Sequence, residues 1–285
     1  MENKDKNKIK RDFLDKLQTF ALTLNAYVST PKNDWTIKGF IDVFENIYTI
    51  SNDTKIVSKI LEIQLFSKFL IFANENNYHL ILAEKQNWYP DVSFVNKDDD
   101  SIKFAVDLKT TYRLEENPKF CNGFTLGSHG TYFIDKTSRK NIQFPYGEYF
   151  GHYCLGIIYS RATMTEHFDA QVHHLKDLAK IPSVIGNMTF FAVEKWQIAS
   201  DKGGSGNTAN IGSIQNIEDI IKGNGIFKNL GENWFDDYWM NFGKITVKDG
   251  NSVKKITNLK DFLQYRGQDD SLIHPRTSKK GGKND

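Results

Sequence analysis

The chain has 285 residues, of which 39% are hydrophobic and 25% charged, a balance typical of a folded protein rather than a disordered one. Lysine and arginine total 37 against 35 aspartate and glutamate, a formal net charge of +2. This balance excludes a protein that holds nucleic acid by bulk positive charge, but it leaves room for a basic cleft.

The sequence also indicates a compartment. Two cysteines, Cys121 and Cys154, are too few for a disulfide framework, so we expect a reducing environment. The opening residues MENKDKNKIKRDF lack the apolar core of a signal peptide, and no run of about 18 apolar residues suggests a membrane-spanning helix. We therefore expect a cytoplasmic protein that does not enter a membrane.

Amphipathic spacing predicts two helices early in the chain. The first covers residues 9–28. The second begins at Asp53 or Thr54, either of which can cap it, and ends near Asn74. Residues 35–50, between the helices, are β-branched and aromatic and fit either a strand or a helix. The predicted buried face of the second helix consists of the apolar residues Ile56, Ile60, Ile63, Phe66, Leu70 and Ala73.

Strand patterns follow the second helix. Residues 78–83 predict a short buried strand, and the runs 91–95 and 102–108, separated by a polar turn, predict a β-hairpin. Residues 146–160 fit a core helix that continues into a strand, and residues 188–199 fit one long strand or two.

The last third of the chain predicts fewer elements. Residues 200–213 are rich in glycine, serine and asparagine and predict a loop, and the polar residues 268–285 predict a flexible tail. Because no linker interrupts the pattern, we expect one α/β domain over residues 1–285.

The candidate chemistry lies on the predicted hairpin. Asp91 opens one strand, while Asp107 and Lys109 alternate with Leu108 in the other, so a period of two places them on one face. An antiparallel pairing can bring Asp91 opposite them. Neighbouring carboxylates repel unless a divalent cation neutralises them, and Mg²⁺ prefers oxygen ligands. The pattern indicates metal-assisted hydrolysis, and its alternative is a hairpin with ordinary surface charges.

Several blocks of the sequence match a known family in order. The segment YPDVSFVNKDDDSIKFAVDLKTTY resembles the active-site hairpin of the PD-(D/E)xK nucleases. More narrowly, the chain resembles the EcoRV-like type II restriction endonucleases from about residue 10 to Gly267, through blocks such as SNDTKIVSKILE, KQNWYPD, KNIQFPYGEYFGHY and KWQIASDKGGSGNTANIGSI. The resemblance implies a restriction-endonuclease-like core, with a mixed central β-sheet flanked by helices. It also implies that the N-terminal part up to about residue 50, including the first helix, forms a dimerisation subdomain.

The resemblance assigns roles to the hairpin residues. Asp91 and Asp107 correspond to the metal-binding acids, and Lys109 to the active-site lysine. The main-chain carbonyl of Leu108 corresponds to an extra ligand, and Glu62 on the second helix to a third acid. The implied cofactor is Mg²⁺, for which Mn²⁺ can substitute.

DNA-contacting residues are also implied by the resemblance. The family's base-reading loop corresponds to Gly204, Ser205, Gly206, Asn207, Thr208, Ala209 and Asn210, where Ala209 replaces a threonine. Glycines allow close approach to base edges and asparagine pairs with adenine, although the same loop could serve as an ordinary turn or an anion nest. A second DNA-contacting loop matches at Gln86 and Asn87 and departs from the family at Lys85. Phosphate contacts are implied at Thr54, Ser58, Thr110, Thr111 and Lys140.

The function implied is that of a Mg²⁺-dependent type II restriction endonuclease. It would act as a homodimer on double-stranded DNA and cut GATATC at its centre, leaving blunt ends with 5′-phosphates. Its host would be a bacterium with a cognate DNA methyltransferase. Two alternatives stay open: a PD-(D/E)xK nuclease for repair or for particular DNA structures, and a DNA-binding protein without catalysis. The Gly/Asn loop argues against the first, and intact Asp91, Asp107 and Lys109 argue against the second.

Overall fold

The fold is organised around a five-stranded mixed β-sheet. The computed structural model describes residues 3–85, 87–163, 171–204, 209–249 and 252–277. Neighbouring strands of the sheet are antiparallel except for the third and fourth, which are parallel. The predicted α/β class with a mixed central sheet is therefore confirmed. In spatial order the strands are β3 (Tyr78–Leu82), β4 (Val92–Asn96), β5 (Lys103–Tyr112), β7 (Tyr149–Arg161) and β9 (Ile185–Glu194).

Smaller sheets and helices surround this sheet. No helix among the described residues is long and apolar enough to cross a bilayer. The smaller sheets comprise β1 (Gly39–Ile41), β2 (Asn46–Thr49) and β8 (Val172–His174); β6 (Thr125–Ser128), β10 (Ala199–Gly203) and β11 (Asn210–Ser213); and β12 (Thr246–Asp249) with β13 (Ser252–Lys255). The α-helices are α1 (Asn3–Val28), α2 (Thr54–Glu75), α3 (Thr131–Ile134), α4 (Ile217–Ile221), α5 (Glu232–Asn241) and α6 (Leu259–Tyr265).

Helix α1 is part of the main hydrophobic core. Its apolar residues Phe13, Leu17, Ala21 and Leu24 recur at helical spacing and are fully buried, and the helix packs against β9 and β7. The Phe13 ring stacks on Phe104 of β5, with centroids 3.9 Å apart. Burying one such side chain contributes about 2 kcal/mol. The first helix therefore stabilises the hydrophobic core, and the dimerisation role of the N-terminal part stays a prediction.

Helix α2 forms where predicted but buries a different face. The Asp53 carboxylate caps it by accepting hydrogen bonds from the amides of Lys55 and Ile56. The predicted face is wrong at Ile56, Ile63, Phe66 and Leu70, which are exposed. This helix is apolar on several sides, so spacing alone could not select the face that the sheet covers. The buried residues are Val57, Ile60, Leu61, Leu65, Phe69, Phe72 and Ala73.

Residues 35–50 form strands rather than a helix. β1 and β2 pair as a hairpin, and β2 also pairs with β8, which follows β7 in sequence. The turn between β1 and β2 is held by the Asp42 carboxylate, which accepts hydrogen bonds from the amides of Phe44 and Asn46. The result is a small sheet that is separate from the main one.

The region predicted as a loop at 200–213 is largely a β-hairpin. β10 and β11 pair in antiparallel fashion, and β11 continues the sheet to β6. Earlier in the chain, residues 146–160 form a short 3₁₀ turn, Tyr146–Glu148, and then the long strand β7 rather than a core helix. Strand β9 ends at Glu194 and a 3₁₀ turn follows, so residues 188–199 contain one strand and the beginning of β10.

The tail is packed against the protein as far as Thr277, which corrects the expectation that it is flexible from residue 268. The guanidinium of Arg276 pairs with the carboxylate of Asp201 on β10, and Asp201 is only 6% exposed. The Thr277 hydroxyl donates to Asp219 at 2.6 Å. These two contacts attach the tail to β10 and to helix α4. Residues 278–285 lie outside the described residues.

Candidate active site

The two acids of the predicted hairpin lie side by side. Strands β4 and β5 pair with Val92 opposite Val106, which places Asp91 beside Asp107. The Asp91 amide donates to Oδ1 of Asp107 at 3.2 Å, and the Leu108 amide donates to Oδ2 of Asp91 at 2.8 Å. These backbone bonds hold both carboxylates in fixed positions at the end of the hairpin. The predicted hairpin and its pairing are confirmed.

Lys109 lies on the same face of β5 as Asp107 and forms a group of three with Asp107 and Asp91. Its Nζ atom lies 3.0 Å from Oδ2 of Asp107. Burial alone would lower the pKa of Lys109, but the carboxylates of Asp107 and Asp91 outweigh burial and raise that pKa above the ordinary lysine value. The lysine is therefore protonated at neutral pH in the metal-free protein, and its ammonium group can donate hydrogen bonds.

The electrostatics of Asp91 suit a cation site. Burial and the neighbouring Asp107 carboxylate raise the pKa of Asp91 to about 6, and Lys109 opposes them only in part. A divalent cation would relieve this repulsion, and carboxylate oxygens are the ligands that Mg²⁺ prefers. The donor set therefore fits such an ion. Within the described residues no cluster of three or more His, Cys, Asp or Glu side chains is close enough to form a metal site, so Glu62 does not join the pair.

A cavity of about 490 Å³ opens beside these side chains. Asp91, Asp107 and Lys109 line it together with three polar residues that the resemblance associated with DNA contact, Asn87, Lys140 and Asn210. Residues far apart in sequence are thus brought to one site. The cavity is open and polar, as a site for a phosphodiester requires.

A second cavity, of about 570 Å³, shares Asn87, Asp91 and Lys109 with the first. Glu62 lines it, 44% exposed and ion-paired with Lys59 at 2.7 Å. The structure therefore brings Glu62 to the edge of the site without direct contact with the two aspartates. The remaining predicted phosphate-contacting residues also line this cavity, namely Thr54, Ser58, Thr110 and Thr111, together with Leu108.

The predicted base-reading loop connects β10 and β11. The Gly204 amide donates to the Asn210 carbonyl at 2.8 Å and closes the loop, and the Ala209 carbonyl accepts from the His129 amide at 2.8 Å. Asn210 lines the cavity of Asp91 and Asp107, whereas Gly204 lines a different cavity. The other predicted contact residues, Gln86, Ser205, Gly206, Asn207 and Thr208, lie outside the described residues.

An aromatic layer that sequence reasoning did not identify lies behind the cavity. Tyr89 stacks on Tyr132 and Tyr146 with ring centroids 5.4 and 5.9 Å apart, and its hydroxyl is 2.9 Å from Nδ1 of His152. Burial and the charges of Lys195 and Lys10 keep the pKa of His152 well below its ordinary value, so the imidazole is neutral. Only Tyr89 carried a signal in the sequence, because it precedes the Pro-Asp motif.

Comparison with known proteins agrees with this geometry. A family model described as "Restriction endonuclease EcoRV" matches residues 31–267. The chain belongs to the EcoRV restriction-endonuclease family. It is 34% identical over 237 residues to the type II restriction enzyme EcoRV of Escherichia coli, covering 82% of this chain and 93% of that enzyme. A solved structure of the NlaIV restriction endonuclease matches with a TM-score of 0.36 and 16% identity, covering 71% of this chain and 66% of the other.

Membership of the EcoRV family confirms the predicted enzyme class, a type II site-specific deoxyribonuclease that acts on double-stranded DNA. The individual site residues and the recognised sequence stay predictions. The match to the family model ends at residue 267, before the packed segment 268–277.

Proposed function

We propose that this member of the EcoRV family cleaves both strands of GATATC at its centre in a Mg²⁺-dependent reaction, leaving blunt ends with 5′-phosphates. The observation that carries the proposal is the convergence of Asp91, Asp107 and Lys109 with Asn210 of the β10–β11 hairpin on one open cavity. Catalytic groups and a base-reading loop on the same surface are what a sequence-specific nuclease needs.

The chain's own residues define the chemistry. Mg²⁺, or Mn²⁺ in its place, would supply charge neutralisation at the phosphate when held by Asp91, Asp107 and the Leu108 carbonyl, with Glu62 at the edge of the site. Lys109 stays protonated, and it orients the attacking water and stabilises negative charge on the phosphate. Thr54, Ser58, Thr110, Thr111 and Lys140 contact the DNA backbone and fix its register.

Sequence recognition belongs to the loops. Gly204, Ser205, Gly206, Asn207, Thr208, Ala209 and Asn210 face the outer base pairs in the major groove, and Gln86 and Asn87 contact the DNA from the other loop. Ala209 replaces a threonine of the family. We propose that specificity for GATATC survives this change, because the matching glycines and asparagines provide the close approach and the amide groups.

The protein acts as a homodimer in this proposal. A palindromic site read by identical loops calls for a twofold-symmetric protein. The small sheet β1–β2–β8 supports this, because its exposed surface and adjoining turns are strongly apolar, and such patches mark association surfaces. The apolar residues are Phe40, Ile41, Val43, Phe44, Tyr48 and Val172, with Leu175 and Leu178 beside them. Measurement of the mass in solution tests it, and a monomer at micromolar concentration would contradict it.

The proposal also includes a bacterial host, a cytoplasmic location and a cognate methyltransferase. The methyltransferase is needed because an active enzyme of this class would otherwise cut its host's DNA.

The core of the proposal is tested by digesting a plasmid of known sequence with Mg²⁺ and sequencing the ends. We expect discrete fragments whose blunt ends lie at the centre of GATATC. Cleavage confined to nicks or junctions would instead favour a repair nuclease, and no cleavage would favour a binding protein.

A further inference from the structure

A second lysine lies directly behind the catalytic cavity. Lys195 begins the 3₁₀ turn Lys195–Ile198 after β9, is only 4% exposed, and its Nζ atom has no hydrogen-bond partner among the described residues. Burying an ammonium group without a partner is costly, so stability alone does not explain this lysine. Nothing in the segment AVEKWQI predicts the burial.

Aromatic rings surround the ammonium group. The Nζ atom of Lys195 lies 5.1 Å from the ring centroid of Tyr89, 5.5 Å from that of Phe133 and 5.6 Å from that of Tyr146. Cation–π attraction offsets part of the desolvation cost and holds the side chain in place. Because Tyr89 precedes the Pro-Asp motif, the cage sits against the catalytic hairpin.

A glycine separates the cage from the cavity. Gly127 lines the cavity with Asp91 and Asp107, and a Cβ atom placed on it would lie 3.5 Å from Nζ of Lys195. Its φ of +96° is a conformation that residues with side chains rarely adopt. The ammonium group of Lys195 therefore lies against the backbone of a residue that lines the cavity.

The charges that face Lys195 are nearly balanced without it. Asp107 attracts its ammonium group and Lys109 repels it, while Asp236 is already paired with Lys136. Burial lowers the pKa of Lys195 to about 8, so the group is largely protonated at neutral pH. The Asp91 and Asp107 carboxylates thus share the cavity with the ammonium groups of Lys109 and Lys140, and the ammonium group of Lys195 adds a further positive charge beside it.

We propose that Lys195 is a positioning residue that sets the charge of the catalytic cavity. From behind Gly127 its ammonium group offsets part of the negative charge of Asp91 and Asp107, which weakens their hold on a divalent cation and favours the anionic phosphodiester. The inference rests on the proposed metal-dependent cleavage. A cavity that must accept a cation and a phosphate together needs an intermediate charge, and a buried lysine provides it without occupying the cavity.

The test compares Lys195→Met and Lys195→Gln with the wild type. The first keeps the length and packing of the side chain, and the second keeps a polar end. Lys16→Met, the same change at a half-exposed lysine of α1, is the control. Mn²⁺ binding is measured without DNA, thermal unfolding is measured in EDTA, and cleavage is measured at saturating Mg²⁺.

We expect both variants at Lys195 to bind Mn²⁺ about tenfold more tightly, because a nearby positive charge is removed in a medium of low dielectric constant. Lys195→Met should unfold at the same or a higher temperature in EDTA, since an unpaired buried charge is replaced by an apolar chain. Cleavage should slow by about tenfold as attraction for the phosphate is lost. The control should match the wild type in all three measurements.

Equal or weaker Mn²⁺ binding by a folded Lys195→Met or Lys195→Gln protein would overturn the inference. So would a lower unfolding temperature in both variants, which would make Lys195 a structural residue. A wild-type protein that neither binds Mn²⁺ nor cleaves DNA would contradict the proposed function itself. A wild type that does both, with Lys195 variants that behave identically, contradicts the role of Lys195 alone.

Discussion

Two β-hairpins of this protein, which carry the proposed catalytic residues and the proposed base-reading loop, are held in different ways. The catalytic hairpin, β4–β5, lies inside the main sheet between β3 and β7, and backbone amides fix both of its carboxylates. The recognition hairpin, β10–β11, belongs to a three-stranded sheet, and its base is anchored by the ion pair of Asp201 with Arg276.

The difference follows from what each hairpin must do. Hydrolysis would be sensitive to small displacements of charged groups, and the proposed catalytic residues Asp107 and Lys109 lie on β5, which is paired on both sides. Base reading would need a loop that can enter a groove, and the proposed base-reading loop connects β10 to β11. Changes in the loop should therefore alter discrimination between sites, while changes in the central hairpin should abolish the reaction.

The largest effect is expected from Asp107→Ala, which removes one of the two carboxylates of the central hairpin. Single-turnover cleavage should fall at least about a thousandfold, because the divalent cation loses a ligand and Lys109 loses its partner. Binding to the same duplex, measured by gel shift, should persist. Asp100→Ala, in the exposed turn between β4 and β5, is the control. Cleavage by Asp107→Ala at the wild-type rate would refute the assignment of the active site.

The next largest effect is expected in the pH dependence of the free energy of unfolding, measured without metal. Burial and Asp107 raise the pKa of Asp91 to about 6, so the folded protein binds this proton more tightly than the unfolded chain does. The stability contributed by Asp91 is therefore present at low pH and is lost as the pH rises from about 4 to about 6, by up to about 3 kcal/mol. Urea unfolding in EDTA at several pH values measures it. Asp91→Asn should lack this component of the pH dependence, and an identical profile in that variant would contradict the prediction.

A smaller effect is expected at the base of the recognition hairpin. Arg276→Met leaves the buried Asp201 carboxylate with the Leu259 amide, at 3.1 Å, as its only donor among the described residues. Since Arg276 is 38% exposed, we expect a loss of about 1–2 kcal/mol in the free energy of unfolding. Cleavage of GATATC relative to sites that differ by one base should become less selective. Arg276→Lys should restore part of both properties, and an equal loss of rate on all sites would contradict the distinction between the hairpins.

The smallest effect is expected from Ala209→Thr, which introduces the threonine of the family into the loop. The Ala209 backbone already accepts a hydrogen bond from the His129 amide, so the loop closure does not depend on the side chain. We expect the same fragments and a change in rate of no more than a few-fold. The comparison of plasmid digests measures it, and a different fragment pattern would show that this position helps to select the recognised sequence.

The sequence by itself determined the central hairpin and the proposed catalytic group on it. Alternation, a polar turn and the Asp91, Asp107 and Lys109 spacing are local properties, and neighbouring strands joined by a short turn have few ways to pair. The helix positions were predictable for the same reason, because capping at Asp53 and apolar spacing depend on nearby residues only.

Only the tertiary structure decided what depends on distant partners. Helix α2 is apolar on several sides, so the sheet it packs against selected the buried face. The strands β10 and β11 form because β6 provides a third strand, and the segment ending at Thr277 is packed because Asp201 and Asp219 lie within its reach. The burial of Lys195 could not be predicted from the sequence around it, because the aromatic rings that surround its ammonium group come from three separate segments. Such contacts join residues far apart in the chain, and local periodicity carries no information about them.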